Sequence, residues 1–216
     1  MSTAGSPRPV RAGTVIKRAA ILTAARDLFA GDGVDRVSMD AVAARANVSK
    51  ATVYEYFGDK NRLFQAILAD ASESLLTTGR LAYDAHLADD QQITTVADLE
   101  AALTAMAVEL GTSVVGSTDY AAAFALVSQR RLQSPTSDED LSTDGAIEVL
   151  AGYLAHFAER GLLDADDPRL AAHHFNALTV LSAFERHPVP ANADPDDVRQ
   201  IMIDGVHAFV RAYARR

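Results

Sequence analysis

From Val48 to Phe57 the chain reads Val-Ser-Lys-Ala-Thr-Val-Tyr-Glu-Tyr-Phe, and the spacing sorts these types onto two sides of a short helix. Val53 and Phe57 lie four apart, with Val48 and Tyr56 alongside, and make a face to be buried. Lys50, Ala51 and Tyr54 fall on the opposite side. The chemistry open to that outer side is recognition of a nucleic-acid duplex. Lys50 can reach base edges or phosphate, Ala51 permits close approach, and the Tyr54 hydroxyl can bond a phosphate oxygen, with Thr52 flanking. Ser49 begins the helix, whose N-terminus points partial positive charge outward and favours a phosphate nearby. The bland alternative for these residues is an ordinary solvated surface.

No catalytic constellation accompanies this helix. The chain has no cysteine, which removes disulfides, thiolate zinc sites, iron–sulfur clusters and cysteine nucleophiles together. His173 and His174 are adjacent, so on a helix their side chains diverge by about 100° and make poor joint ligands for one metal. His156 and Glu159 could share a face, but no third or fourth ligand can be nominated. There is no Gly-rich phosphate loop, nucleophile elbow or zinc-protease signature. The expectation is therefore a non-enzyme without cofactor or metal. Two rivals stay open: a small helical enzyme or metal carrier, and a helical protein-interaction module whose helix-turn-helix no longer binds DNA.

The elements that must position the Lys50 face are readable in the punctuation. Ile21, Leu22, Ala25, Leu28 and Phe29 form the apolar stripe of a first helix from about Thr14 to Ala30, which Gly31 and Gly33 are expected to end. Ser38 is a good N-cap for a short second helix with Met39, Val42, Ala43 and Ala46 inward. Asn47-Val48-Ser49 then links it to a third helix, Lys50 to Tyr56, before Gly58 and Asp59 restart the chain into a longer fourth carrying Leu63, Phe64, Ile67, Leu68 and Leu75. Two short helices with a three-residue link have the geometry of a helix-turn-helix. Further helices are expected at 95–115, 118–133, 143–160, 167–186 and 195–214, separated by proline-bearing breaks. The whole is read as all-α, about nine helices.

Charge divides the chain in the same way. The net charge of −9 by itself argues against a nucleic-acid partner. Residues 1–62, however, hold ten basic and six acidic side chains, a net of +4, which leaves −13 on residues 63–216. With 49% hydrophobic residues the chain can build real cores, and no apolar run approaches the roughly 18 residues of a membrane span. Residues 1–14 do not read as a secretory signal, so a cytoplasmic, non-membrane protein is expected.

Residues 21–64 closely resemble the DNA-binding domain of TetR-family transcriptional regulators: Ile21-Leu22, Ala24-Ala25, Leu28-Phe29, Gly33, Ser38-Met39, Val42-Ala43, the run Val48 to Phe57, Lys60 and Leu63-Phe64 fall in register. The segment Gly161 to Phe175, with Asp167-Pro168 and Ala171-Ala172, looks like one found in the ligand-binding halves of that family. The resemblance implies that Ser38, Thr52, Tyr54 and Lys60 touch the DNA backbone while Lys50 and Ala51 face bases. With Ser49, these form the expected DNA-binding set. Asn47 stands where the family usually has Gly, but Asn tolerates the left-handed conformation that such a turn needs. Glu55, where several members carry His or another polar residue, either accepts from a cytosine amino group or is a solvated flank.

Three parts follow: a flexible arm, 1–13; the helix-turn-helix domain, 14–60; and a helical effector-binding and dimerisation domain, 61–216. Arg8, Arg11, Lys17 and Arg18 of the arm and its junction either reach flanking backbone or simply solubilise the chain. A homodimer is expected, because two heads on a palindromic operator touch more phosphates than one. Phe175, Leu178, Leu181, Phe184, Val206, Phe209 and Val210 are the nominated interface. The partners expected are a double-stranded DNA operator and a largely apolar small-molecule effector. Met106, Leu110, Phe124, Val127, Leu150, Tyr153 and Phe157 are nominated to enclose it, although the same residues would make an ordinary core. Gln129, Arg130, His156 and Asn176 are candidates to orient its polar group. The function implied is a ligand-responsive repressor.

Overall fold

Ser38 and Ser49 each stand one residue ahead of a helix with extended backbone, and their hydroxyl oxygens accept from the amides of Ala41 and Thr52, both at 3.1 Å. Those two caps fix the starts of the helices that carry the recognition surface. The computed structural model of the chain describes residues 12–88, 93–133, 143–187 and 192–215. Arg8 and Arg11 of the expected arm lie outside these residues, as do the side chains of Gln129 and Arg130. Two compact units are present, dividing after Ile67 rather than at residue 60.

The first unit contains α1 (Ala12–Asp32), α2 (Met39–Arg45), α3 (Lys50–Phe57) and the start of α4 (Lys60–Leu87). α1 runs through Gly31 and stops at Gly33, which takes φ +85° and donates its amide to the Phe29 carbonyl at 2.9 Å. The expected stop at Gly31 is thus corrected: a lone glycine inside a helix weakens it by about 1 kcal/mol but does not end it, whereas only Gly33 takes the left-handed turn. Asn47 adopts φ +54° between α2 and α3, the conformation the usual glycine would supply. Ile21, Phe29, Val42, Val53, Leu63, Phe64 and Ile67 close the core of this unit with zero or near-zero exposure. Leu28 and Ala46, expected inside, are half-buried.

The second unit holds the rest of α4 with α5 (Val96–Val115), α6 (Thr118–Gln133), α7 (Asp144–Glu159), α8 and α9 (Pro195–Tyr213). α8 begins at Pro168–Asn176, passes through a π-helical turn at Ala177–Leu181 and continues as Ser182–Arg186. Among the described residues there are thus nine helices and no strand. Asp167 and Asp194 cap α8 and α9 ahead of their prolines, and Thr95 caps α5 in a reciprocal pair with Asp98. α9 packs most extensively on α5, and α7 on α8. Gly205 of α9 lies so close to α8 that a Cβ there would come within 2.2 Å of the Leu178 carbonyl oxygen. No single described helix is long and apolar enough to cross a membrane.

Five of the seven nominated interface residues belong to this unit's own core. Phe175, Phe184, Val206, Phe209 and Val210 are all buried within the protomer, with Phe175 and Phe209 in edge-to-face contact at 5.2 Å. Leu178 and Leu181 alone of the set are exposed, at 37% and 38%, on the same helix as the exposed Leu170. Apolar periodicity reports that a residue wants burial but not against which molecule.

Candidate nucleic-acid interface and effector cavity

α3 presents the two faces its spacing implied. Val53 and Phe57 are buried, Val48 and Tyr56 half-buried, and Lys50, Ala51, Tyr54 and Glu55 exposed. The helix is anchored at both ends. Ser49 caps it through Thr52, whose own hydroxyl lies 2.8 Å from Ser49 Oγ. At the other end Gly58, at φ +75°, donates its amide to the Tyr54 carbonyl, and the Tyr56 hydroxyl donates to the Thr14 carbonyl at 3.2 Å. A capping hydroxyl uses a lone pair on the helix and keeps its proton to give elsewhere. The Ser38 proton is in that state, exposed beside α2.

Lys50 is not a free cation. Its Nζ lies 2.8 Å from Asp40 Oδ1 and 5.9 Å from the centre of the Tyr54 ring. The hydrogen bond to Asp40, then that carboxylate's charge, raises the Lys50 pKa above its ordinary value, so the ammonium stays charged across physiological pH. The pairing holds the side chain along the outer face and joins α2 to α3. Lys60 departs further from expectation. Rather than facing outward to the DNA backbone, its ammonium donates to the carbonyls of Asp35 and Val37 at 3.0 and 3.2 Å, tying the α1–α2 loop to the start of α4. A loop carbonyl without an intrahelical partner is a strong acceptor, and the lysine nearest in space satisfies it.

Sequence reasoning passed over a further basic notch in the same unit: Arg18 sits 5.8 Å over the Phe57 ring, and it lines a surface depression with Arg62 and Glu55 beside the end of α3. No periodic signal marks it, because the two arginines come from different helices.

In the second unit a cavity of about 20 Å³ is lined by Leu75 and Tyr83 of α4, Leu110 of α5, Tyr120 of α6, Leu150 of α7, and Phe175, Asn176, Thr179 and Val180 of α8, among others. Leu110 and Leu150 are the nominated pocket residues that reach it. Met106, Val127 and Phe157 are buried in the core, Phe124 stacks on Phe184 at 4.7 Å, and Tyr153 gives its hydroxyl to Asp84 at 2.6 Å. None of these five lines this cavity; long apolar helices offer more inward residues than one cavity can use. Asn176 does line the cavity, whereas His156 packs against Phe157. Tyr83 and Tyr120 were missed, although an aromatic ring with a polar end inside an apolar helix is the signal that could have found them. Burial pushes the Tyr83 phenol up from its ordinary pKa and that of Tyr120 to about 12. His174 bonds the Tyr213 hydroxyl at 2.6 Å while His173 is exposed, and among the described residues no three His, Asp or Glu side chains converge on a metal-sized site.

With this geometry in place, comparison with known proteins gives concordant results. Residues 21–67 match bacterial regulatory proteins of the tetR family, and residues 101–215, more than half of the chain, match the C-terminal domain of AefR-like transcriptional repressors. The DNA-binding transcriptional repressor TetR of Mycobacteroides abscessus is 39% identical over 72 residues; the match takes in 32% of this chain and only 38% of that relative's length. A TetR-family transcriptional regulator of Mesorhizobium loti superposes with a TM-score of 0.72 at 22% identity, covering 95% of this chain and 99% of its own. The flavonoid-responsive regulator FrrA gives 0.62 at 27% identity, covering 93% and 98%.

Proposed function

The chain belongs to the TetR family of bacterial transcriptional regulators, and from that premise we propose that it is a ligand-responsive repressor, not an enzyme, that grips a palindromic operator as a homodimer. The observation that carries the reading is the exposed side of α3, where Lys50, Ala51 and Tyr54 stand clear while Val53 and Phe57 hold the helix from beneath. Lys50 exchanges Asp40 for a base edge or phosphate, Ala51 lets the helix approach the groove, and Tyr54, Thr52, Ser49 and Ser38 donate to phosphate oxygens. Lys60 contributes by fixing the loop ahead of α2.

Leu178 and Leu181, with Leu170, supply the exposed apolar face on α8 from which a two-fold interface is built. The flavonoid response named for FrrA supports a small molecule as the signal. α4 belongs to both units and carries Leu75 and Tyr83 of the cavity wall, which makes it the lever. A ligand releases DNA only to the extent that it binds the DNA-incompetent arrangement more tightly.

Selection of duplexes from a random pool by the full chain tests the reading. Enriched sequences should contain two inverted half-sites about one helical turn apart, and Lys50→Ala should change which bases are preferred. Recovery of unrelated sequences, or a chain that sediments as a monomer both free and on DNA, would overturn it.

A further inference from the structure

Lys50 meets Asp40 through both carboxylate oxygens, at 2.8 Å to Oδ1 and 3.1 Å to Oδ2. The two side chains stay 58% and 62% exposed, so the pair stands in solvent at the outer side of α3. A carboxylate is out of place where a phosphate is to be bound. With the exposed Glu55, Lys50 and Asp40 give this surface more negative than positive charge, and such a surface repels a polyanion. Asp40 also lies in the first turn of α2, where a negative charge favours the helix dipole. That benefit needs no contact with Lys50. An exposed ion pair adds little stability of its own. The pairing calls for another use, and the DNA-reading role of this unit supplies one.

An ammonium carries three donors, and a carboxylate only accepts. With two donors of Lys50 directed at Asp40, one is left over, and the carboxylate oxygens keep lone pairs. The pair thus presents a donor and an acceptor side by side, 2.8 Å apart. In the major groove a G·C pair presents the reverse: guanine O6 and N7 accept, and the adjoining cytosine N4 amino group donates. O6 and N4 are bonded to each other across the base pair, so they too stand at a hydrogen-bond length of roughly 2.9 Å. Donor meets acceptor and acceptor meets donor at matching spacing. A T·A pair also sets an acceptor beside a donor, but the thymine methyl flanks its acceptor where guanine offers a second one, N7. An ammonium therefore favours guanine. Resting on the reading of α3 as the DNA-reading helix, we infer that the Lys50–Asp40 pair reads one G·C base pair as a unit, Lys50 giving to guanine and Asp40 taking from the cytosine amino group.

An exchange of Asp40 for another acceptor gives up one ion pair to make the next. At a G·C pair no exchange is needed. Phosphate makes the opposite demand, because it offers only acceptors: Asp40 meets like charge there, and Lys50 must leave it. Asp40 thus raises affinity for one base pair and lowers it for bare backbone, which are the two halves of discrimination. The residue that sets the specificity of Lys50 sits ten positions earlier, on the other helix of the motif.

Duplexes that the full chain selects from a random pool supply the probe. Each half-site should hold a G·C pair whose preference is lost in Lys50→Ala. N4-methylation of that cytosine keeps base pairing and removes the donor facing the groove. It should weaken binding of the unaltered chain about tenfold, the worth of one hydrogen bond to a charged group, and leave Asp40→Ala unaffected. On unselected duplex the sign reverses: Asp40→Ala should bind more tightly at low salt, with a slope steeper by about one ion, because the freed ammonium takes a phosphate. Weaker binding of Asp40→Ala to both duplexes with the salt slope unchanged would leave Asp40 a purely structural role and overturn the inference. Half-sites without a G·C pair that answers to Lys50, or methylation that weakens both proteins alike, would do the same. A chain that selects inverted half-sites without regard to Asp40 keeps its place as a regulator and loses this pairing, whereas one that enriches no sequence at all loses both.

Discussion

The two units hold their functional side chains by opposite means. In the first, Ser38, Ser49, Lys50 and Tyr54 are exposed, and the contacts that hold them are short-range along the chain: caps three residues away, and an ion pair ten residues away. In the second, Tyr83 and Tyr120 are buried, come from separate helices, and are held by the packing of their rings. A surface site can be preorganised by local hydrogen bonds because water satisfies whatever is left over. A buried site is positioned by packing alone, and it depends on the whole helical frame for that.

Perturbations should separate the two designs. The largest effect is expected from Phe57→Ala, which empties the buried side of α3: a loss of about 3–5 kcal/mol, read as a lowered denaturant midpoint of the first unit together with lost DNA binding. If DNA affinity survived with that loss of stability, the recognition surface would not depend on its buried face. Next comes alkali acting on the second unit. Its buried phenols have pKa values raised above the unfolded value near 10, with Tyr120 at about 12, so the native state holds more protons. Stability should be intact below pH 10 and fall as pH rises toward 12, by up to about 2–3 kcal/mol for Tyr120 alone. Absorbance titration checks it, since Tyr83→Phe and Tyr120→Phe should each remove tyrosinate signal that develops only well above pH 10.

Smaller effects probe the first unit's local devices. Lys60→Ala strips two loop carbonyls of their donor and should cost about 1–2 kcal/mol. The salt dependence of DNA binding should not change, whereas a lost phosphate contact would flatten its slope by about one ion. Asn47→Ala should cost about 1 kcal/mol because alanine resists the left-handed turn, and Asn47→Gly should cost nothing measurable in the same melt.

The same contrast explains what could be read from the sequence. Ser38, Ser49, Asn47, Gly58, Pro168 and Pro195 mark helix ends by their own backbone and capping chemistry, so the described helix boundaries fall within a few residues of those expected. The outer side of α3 was legible because five or six consecutive positions define a helix face. The cavity was not, since it is the meeting of five helices and no spacing within one of them records it. The inward turn of Lys60 was equally hidden, because its acceptors lie more than twenty residues away. The π-helical turn has no clear sequence mark: Ala177–Leu181 is apolar except for Thr179, whose hydroxyl turns back onto the Phe175 carbonyl at 2.6 Å.

Gly205 carries a last consequence. With the Leu178 carbonyl oxygen 2.2 Å from where a Cβ would stand, α8 and α9 meet main chain against main chain at this point. Every residue but glycine would there drive a Cβ into the backbone of α8, which would have to move to admit it. Surrounding core positions can trade leucine for methionine or valine and keep the distance. Position 205 is thus where any side chain at all must displace a neighbouring helix's backbone.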